Sequence, residues 1–166
     1  SNTHTYGSSY TGDITITVDK LQYITAFISY NNSFNFNLIE LTVLTGLTYY
    51  LNMGNNTTSG DIANLPSGLN YYINAGRNTT SGDIANLPSG LIYYRNQGSN
   101  TTSGDIANLP SGLTFYYNAG NNEVGVYTQG RNWGVKLDIF INTPSASIYK
   151  LSSNEVDSIL IDMAST

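Results

Sequence analysis

The string Ser-Gly-Asp-Ile-Ala-Asn-Leu-Pro-Ser-Gly-Leu occurs three times, at 59–69, 81–91 and 103–113, with a period of 22 residues. One such unit is too short to bury its own apolar face, so the units must stack and share a core. Weaker copies flank the three. Thr11-Gly12-Asp13-Ile14 precedes Leu21 at the spacing that separates Ser59-Gly60-Asp61-Ile62 from Leu69. Leu47-Thr48-Tyr49-Tyr50 matches Leu69-Asn70-Tyr71-Tyr72, and 137–142 matches 113–118. The anchors are then Leu21, Leu47, Leu69, Leu91, Leu113 and Leu137, spaced by 26, 22, 22, 22 and 24 residues. Regular inner units between irregular outer ones are expected of a stacked array with capping ends.

Each unit reads alike. A short Tyr-rich strand follows the anchor Leu. Then come a Gly, an Asn, two Thr, the Ser-Gly-Asp-Ile turn and an Asn-Leu-Pro-Ser-Gly return. Pro and Gly exclude a long helix on the return. The anchor Leu, the inward residue three later (Tyr72, Tyr94, Tyr116), the strand-end Asn and the Ser-Gly-Asp-Ile turn make the pattern resemble the leucine-rich repeat, in its plant-type variety, over roughly residues 11–142. It departs in having Asn74, Asn96 and Asn118 where that family has Leu, one extra residue before the turn, and Tyr in place of core Leu. The resemblance implies a mostly β, right-handed repeat solenoid with one parallel sheet, an irregular N-terminal cap and a short C-terminal capping helix. The expected divisions are a flexible segment at 1–10, the repeat solenoid at 11–150 and the capping helix at 151–166. A start on Ser is expected of a piece of a longer protein.

Strand side chains alternate between faces. With the anchor Leu as position one, position four holds Ile24, Tyr50, Tyr72, Tyr94, Tyr116 and Phe140, all large and apolar or aromatic. Position five includes Arg95, which a core without a partner excludes. Positions four and six therefore point inward, and three, five and seven face the concave side. Position six becomes an interior column of Asn52, Asn74, Asn96, Asn118 and Asn142. Buried amides must be hydrogen-bonded, and strands about 4.8 Å apart let each Asn reach its neighbour or the adjacent turn backbone. Asn56, Asn78, Asn100 and Asn122 should form a second ladder at the turn.

The concave face then carries Tyr23, Tyr49, Tyr71, Tyr93, Phe115 and Ile139, beside Leu51, Ile73, Arg95 and Tyr117, with Met53, Ala75, Gln97 and Ala119 beyond. Wide exposed apolar patches mark interaction sites, and Tyr and Arg dominate binding hot spots. The candidate ligand-binding residues are Tyr49, Leu51, Tyr71, Ile73, Tyr93, Arg95, Phe115 and Tyr117. The competing reading is that these columns only stack and stiffen the sheet.

Charge and residue types narrow the chemistry. Six Lys and Arg, scattered in a chain of net charge −5, cannot neutralise a run of phosphates, so nucleic acid is not an expected partner. No stretch is long and apolar enough for a membrane-spanning helix. There is no Cys, and the only His is His4, which removes thiolate and imidazole catalysis and the usual zinc ligands. The polar groups are instead amides and hydroxyls, with 22 Asn and 14 Tyr.

Asp13, Asp61, Asp83 and Asp105 would stack as a column at the turn. Close carboxylates suit glycoside cleavage or calcium, but exact repetition gives each the same environment, where an acid–base pair needs two. Capping of its own turn is the expected role of each Asp. The sequons at Asn56, Asn78 and Asn100 fall on inward residues, whereas the one at Asn31 falls in a loop. The paired Thr residues point to opposite sides, leaving one narrow rank for an ice surface. Ser152 and Glu155 form a capping-box signal before Val156, Ile159, Leu160 and Met163 at helical spacing, and Trp133 is expected to pack under the last unit.

The expected function is a non-catalytic recognition or adhesion module that needs no cofactor or metal. It would bind a protein or a surface glycan, at an extracellular, cell-surface or virion-surface location. The alternative is a structural or self-associating module of a phage virion or surface fibre. Ice binding and polysaccharide cleavage are the remaining alternatives.

Overall fold

The computed structural model describes residues 19–30, 33–131, 133, 139–144 and 150–165. The chain is mostly β, with one parallel sheet and a single C-terminal α-helix among these residues. Its strands are β1 (Ala26–Tyr30), β2 (Asn35–Asn37), β3 (Tyr49–Asp61), β4 (Tyr71–Asp83), β5 (Tyr93–Gly98), β6 (Thr101–Asp105), β7 (Phe115–Gly120), β8 (Glu123–Val126) and β9 (Ile139–Pro144), and the helix is α1 (Ser153–Ala164). The sheet order is β1-β3-β4-β5-β7-β9, with β2 beside β3 and β6 between β4 and β8.

Each repeat contributes two legs to this sheet. In the first leg, like faces like: Tyr49, Tyr71, Tyr93, Phe115 and Ile139 lie in register, as do Asn52, Asn74, Asn96, Asn118 and Asn142. The second leg slips by two residues, so that Ser59 faces Thr79 and Ser81 faces Thr101. A slip of two preserves the alternation, and inward residues stay inward. Gly54, Gly98 and Gly120, all at positive φ, lie where the legs meet.

After the second leg the chain turns through a short 3₁₀ segment, Ile62–Asn64 in one repeat. The turn starts as the sequence demands. Asp61, Asp83 and Asp105 each accept a hydrogen bond from the backbone N–H two residues on, at 2.8 Å. The same carboxylates explain the preceding glycines of the next repeat. A Cβ on Gly82 would strike Asp61 Oδ1, one on Gly104 would strike Asp83 Oδ1, and both glycines have positive φ. Asn37 does the job of the Asp in the first unit, accepting from Ile39 N at 3.1 Å. Asp13 lies outside the described residues.

The core holds the anchors Leu47, Leu69, Leu91 and Leu113, the turn residues Ile62, Ile84 and Ile106, and Tyr50, Tyr72, Tyr94 and Tyr116. The four tyrosines stack at 5.3 to 5.5 Å between centroids, and Phe27 and Phe140 extend the stack at its two ends. Such pairs add about 0.5–1.5 kcal/mol each beyond area burial.

One anchor is corrected. Leu21 lies in the 3₁₀ turn Leu21–Tyr23, and the first-leg register instead pairs Ala26 with Tyr49 and Phe27 with Tyr50. Phe27 offers Tyr50 an aromatic ring only 10° from parallel, which Ile24 cannot do. Tyr23 therefore leaves its expected column, and Ser29 stands opposite Asn52. Leu137 and the proposed flexible segment 1–10 lie outside the described residues.

The C-terminal end is closed by side chains as well as backbone. The capping box of Ser152 and Glu155 starts α1. Asp162 Oδ2 accepts from the Tyr127 hydroxyl at 2.5 Å, Gly130 N at 2.7 Å and Arg131 N at 3.1 Å. The Arg131 guanidinium donates to the carbonyls of Ala107, Leu109 and Pro110 in the last 3₁₀ turn and return. Trp133 is buried, with Arg131 over its ring at 4.3 Å. The expected apolar stripe of α1 is only half right: Ile159 is buried, but Val156 and Leu160 are exposed, because Asp162 holds the helix by a polar face.

Candidate recognition face

The alternation that buries Tyr72 and Asn74 sends Tyr71, Ile73 and Ala75 to the opposite side of the first leg. Arg95 lies on that outer side, between buried Tyr94 and Asn96. The interior explains why the alternation is fixed. Asn96 Nδ2 donates to Thr80 Oγ1 at 3.1 Å, Asn118 Nδ2 to Thr102 Oγ1 at 3.0 Å, and Asn52 Nδ2 to Thr58 Oγ1 at 2.6 Å. The Tyr50 hydroxyl lies 2.8 Å from Thr58 Oγ1, and the Tyr72 hydroxyl accepts from Asn74 Nδ2 at 3.0 Å. Burial pushes the phenols of Tyr50, Tyr72, Tyr94 and Tyr116 well up, so they stay neutral hydroxyls.

The expected Asn-to-Asn ladder is thus replaced in large part by Asn-to-Thr bonds. Asn52 to Asn74, at 3.2 Å, is the one direct amide pair among the described position-six residues. The two-residue slip of the second leg offers Asn52, Asn96 and Asn118 a Thr hydroxyl from their own or the adjoining repeat, while Asn142 donates to the Val124 carbonyl. Asn56, Asn78, Asn100 and Asn122 are buried and bond to backbone carbonyls or local side chains, which places the three sequons inside.

On the outer side, Tyr49, Tyr71, Tyr93 and Phe115 form a continuous column with centroids 5.8, 6.3 and 4.0 Å apart. Tyr71 is the most open at 40% exposure, and the other three are half-buried. Ile73, Arg95 and Tyr117 form the next column, also half-buried. Leu51 is corrected: it is only 5% exposed, flanked in register by Ile28 and Ile73, and is a support of the face. Ile139 and Ile141 continue the register, but their side chains lie outside the described ones.

Arg95 is held in place. Its Nε and one terminal nitrogen both donate to Gln97 Oε1, at 2.9 and 2.6 Å, and its guanidinium lies 5.6 Å from the Tyr117 ring centre. Gln97 was not among the candidate binding residues. Its signal was available: it lies two residues from Arg95 on the same strand face, where Ala75 and Ala119 stand in neighbouring repeats. Among the described residues, no group of His, Cys, Asp or Glu is placed to hold a metal, and no helix is long and apolar enough to cross a membrane. No protein-family model, curated protein or solved structure matches this chain.

Proposed function

We propose that the chain is a right-handed, leucine-rich-repeat-like solenoid that acts as a non-catalytic recognition or adhesion module. It binds a protein or a glycan at an extracellular, cell or virion surface through the outer face of its first legs. The observation that carries this reading is the outer column Tyr49-Tyr71-Tyr93-Phe115, most exposed at Tyr71, beside Ile73, Arg95 and Tyr117, an apolar and aromatic surface several strands wide. Each turn carboxylate caps its own 3₁₀ turn, which supports a structural role for the Asp column.

Substituting Tyr71, Tyr93 and Arg95 together by Ala tests it. Capture of protein or glycan ligands is expected to disappear while the fold persists. A second reading, a structural or self-associating module of a fibre or virion, draws on the Tyr93–Phe115 stack, whose rings lie 4.0 Å apart and 5° from parallel and so stiffen the sheet. Under that reading the triple variant breaks up an oligomer and changes no ligand capture.

A further inference from the structure

The repeats 69–90 and 91–112 differ at four positions: Asn70/Ile92, Ile73/Arg95, Ala75/Gln97 and Arg77/Ser99. None of these is buried, and the two middle pairs lie on the outer face of the first leg. Exposure alone does not account for the choice of sites. Thr79/Thr101, Asn86/Asn108 and Ser89/Ser111 are more exposed than the half-buried middle pairs and yet are identical in the two repeats. The divergence falls within 70–77 and 92–99, around the first leg, and its two central changes create the Arg95–Gln97 pair.

From this, and resting on the reading of the outer face as a recognition surface, we infer that Arg95 is its specificity-determining residue. The partner it selects is a polypeptide segment bearing an Asp or Glu carboxylate. Arg95 is a cation whose recorded partners, Gln97 and the Tyr117 ring, carry no charge. The outer-face residues 49, 51, 53, 71, 73, 75, 93, 95, 97, 115, 117 and 119 include no Asp or Glu, although the chain as a whole is acidic. An arriving carboxylate meets no repulsion from the face itself. It can replace the single Gln97 oxygen at the fork with two, the geometry a guanidinium favours.

The ring geometry selects polypeptide over sugar. Tyr93 and Phe115 stack face to face, so they turn their edges outward. Stacking of a sugar ring takes an open aromatic face, and the facing sides of these two rings are closed to it. Side chains and backbone of a polypeptide pack against ring edges and phenol hydroxyls.

The test is an array of random twelve-residue peptides and, in parallel, an array of neutral and acidic glycans, probed with the intact chain and with variants checked by thermal melting. The captured peptides are expected to be enriched in Asp and Glu. The double variant Arg95→Ile/Gln97→Ala should lose that enrichment and bind the selected peptides about tenfold or more weakly. Moving the pair, by adding Ile73→Arg and Ala75→Gln to the double variant, should restore acidic selection. Peptides captured without acidic bias, or bound equally by Arg95→Ile/Gln97→Ala, overturn the role of Arg95; the face reading survives if Tyr71→Ala/Tyr93→Ala still abolishes capture. Capture of acidic glycans and no peptides overturns the choice of polypeptide. Capture from neither array overturns both this inference and the reading it rests on.

Discussion

Asn96 and Thr80 belong to adjacent repeats and lie 16 residues apart, yet the Asn96 amide donates to the Thr80 hydroxyl at 3.1 Å in the fully buried interior. Asn118 and Thr102 repeat the arrangement. Thr80→Val keeps the shape and removes the acceptor. It is expected to cost about 1–3 kcal/mol, because a buried amide is left short of a partner. Adding Asn96→Leu should recover part of that loss, with a coupling of about 0.5–3 kcal/mol in a double-mutant cycle measured by urea unfolding.

Gly82 and Gly112 make a matched pair. Gly82 combines positive φ with a Cβ direction blocked by Asp61 Oδ1, whereas a Cβ on Gly112 meets nothing within 4 Å. Gly82→Ala should destabilise by about 1–3 kcal/mol. Gly112→Ala should change stability by less than about 1 kcal/mol, in either direction. Equal midpoints for the two variants would refute the account of the Ser-Gly-Asp turn.

Acid should loosen the C-terminal helix. The hydrogen bond from Tyr127, with those from Gly130 and Arg131, holds the Asp162 carboxyl below its usual range, and bonds from Ser152 and Tyr127 N do the same for Glu155. Depressed folded-state values mean that both groups stabilise docking above the ordinary values of 3.8 and 4.5, and that this is lost as pH falls through their lowered ones. Trp133 is the only Trp and reports on this end of the molecule. Its fluorescence should change on acidification below about pH 4, and Asp162→Asn should remove much of that step.

At high pH the same contact acts through the phenol. Burial, together with Asp162, pushes Tyr127 up to about 12. A raised phenol value stabilises the folded state below the ordinary value of 10.0 and loses that contribution between there and about 12. Tyr127→Phe should abolish the alkaline change in Trp133 fluorescence.

The inner repeats were legible because three constraints coincide in them: a strict period, Tyr and Asn on one parity, and an Arg on the other. That was enough to place Tyr72 inside and Ile73 outside. The first repeat was not legible, since Leu21-Gln22-Tyr23-Ile24 copies the local pattern while Phe27 makes the better ring stack across 23 residues. The second-leg slip was hidden for a related reason. Equal spacing in sequence suggests like opposite like, and only the bend between legs shows that Ser81 meets Thr101. In sequence Thr80 and Thr102 are halves of Thr pairs, and only the slip brings their hydroxyls to Asn96 and Asn118. The face is legible except for Leu51, which lies in register between Ile28 of β1 and Ile73; Gln97 carries its signal in its place two residues from Arg95, where neighbouring repeats have Ala75 and Ala119.

The alternation of faces is open to one direct measurement, since the chain has no Cys. Single variants Ile73→Cys and Asn74→Cys place thiols on successive residues of β4, and each can be treated with a maleimide under native conditions. The account predicts ready labelling at 73 and labelling at 74 only after unfolding. Equal native rates, or faster reaction at 74, would contradict it.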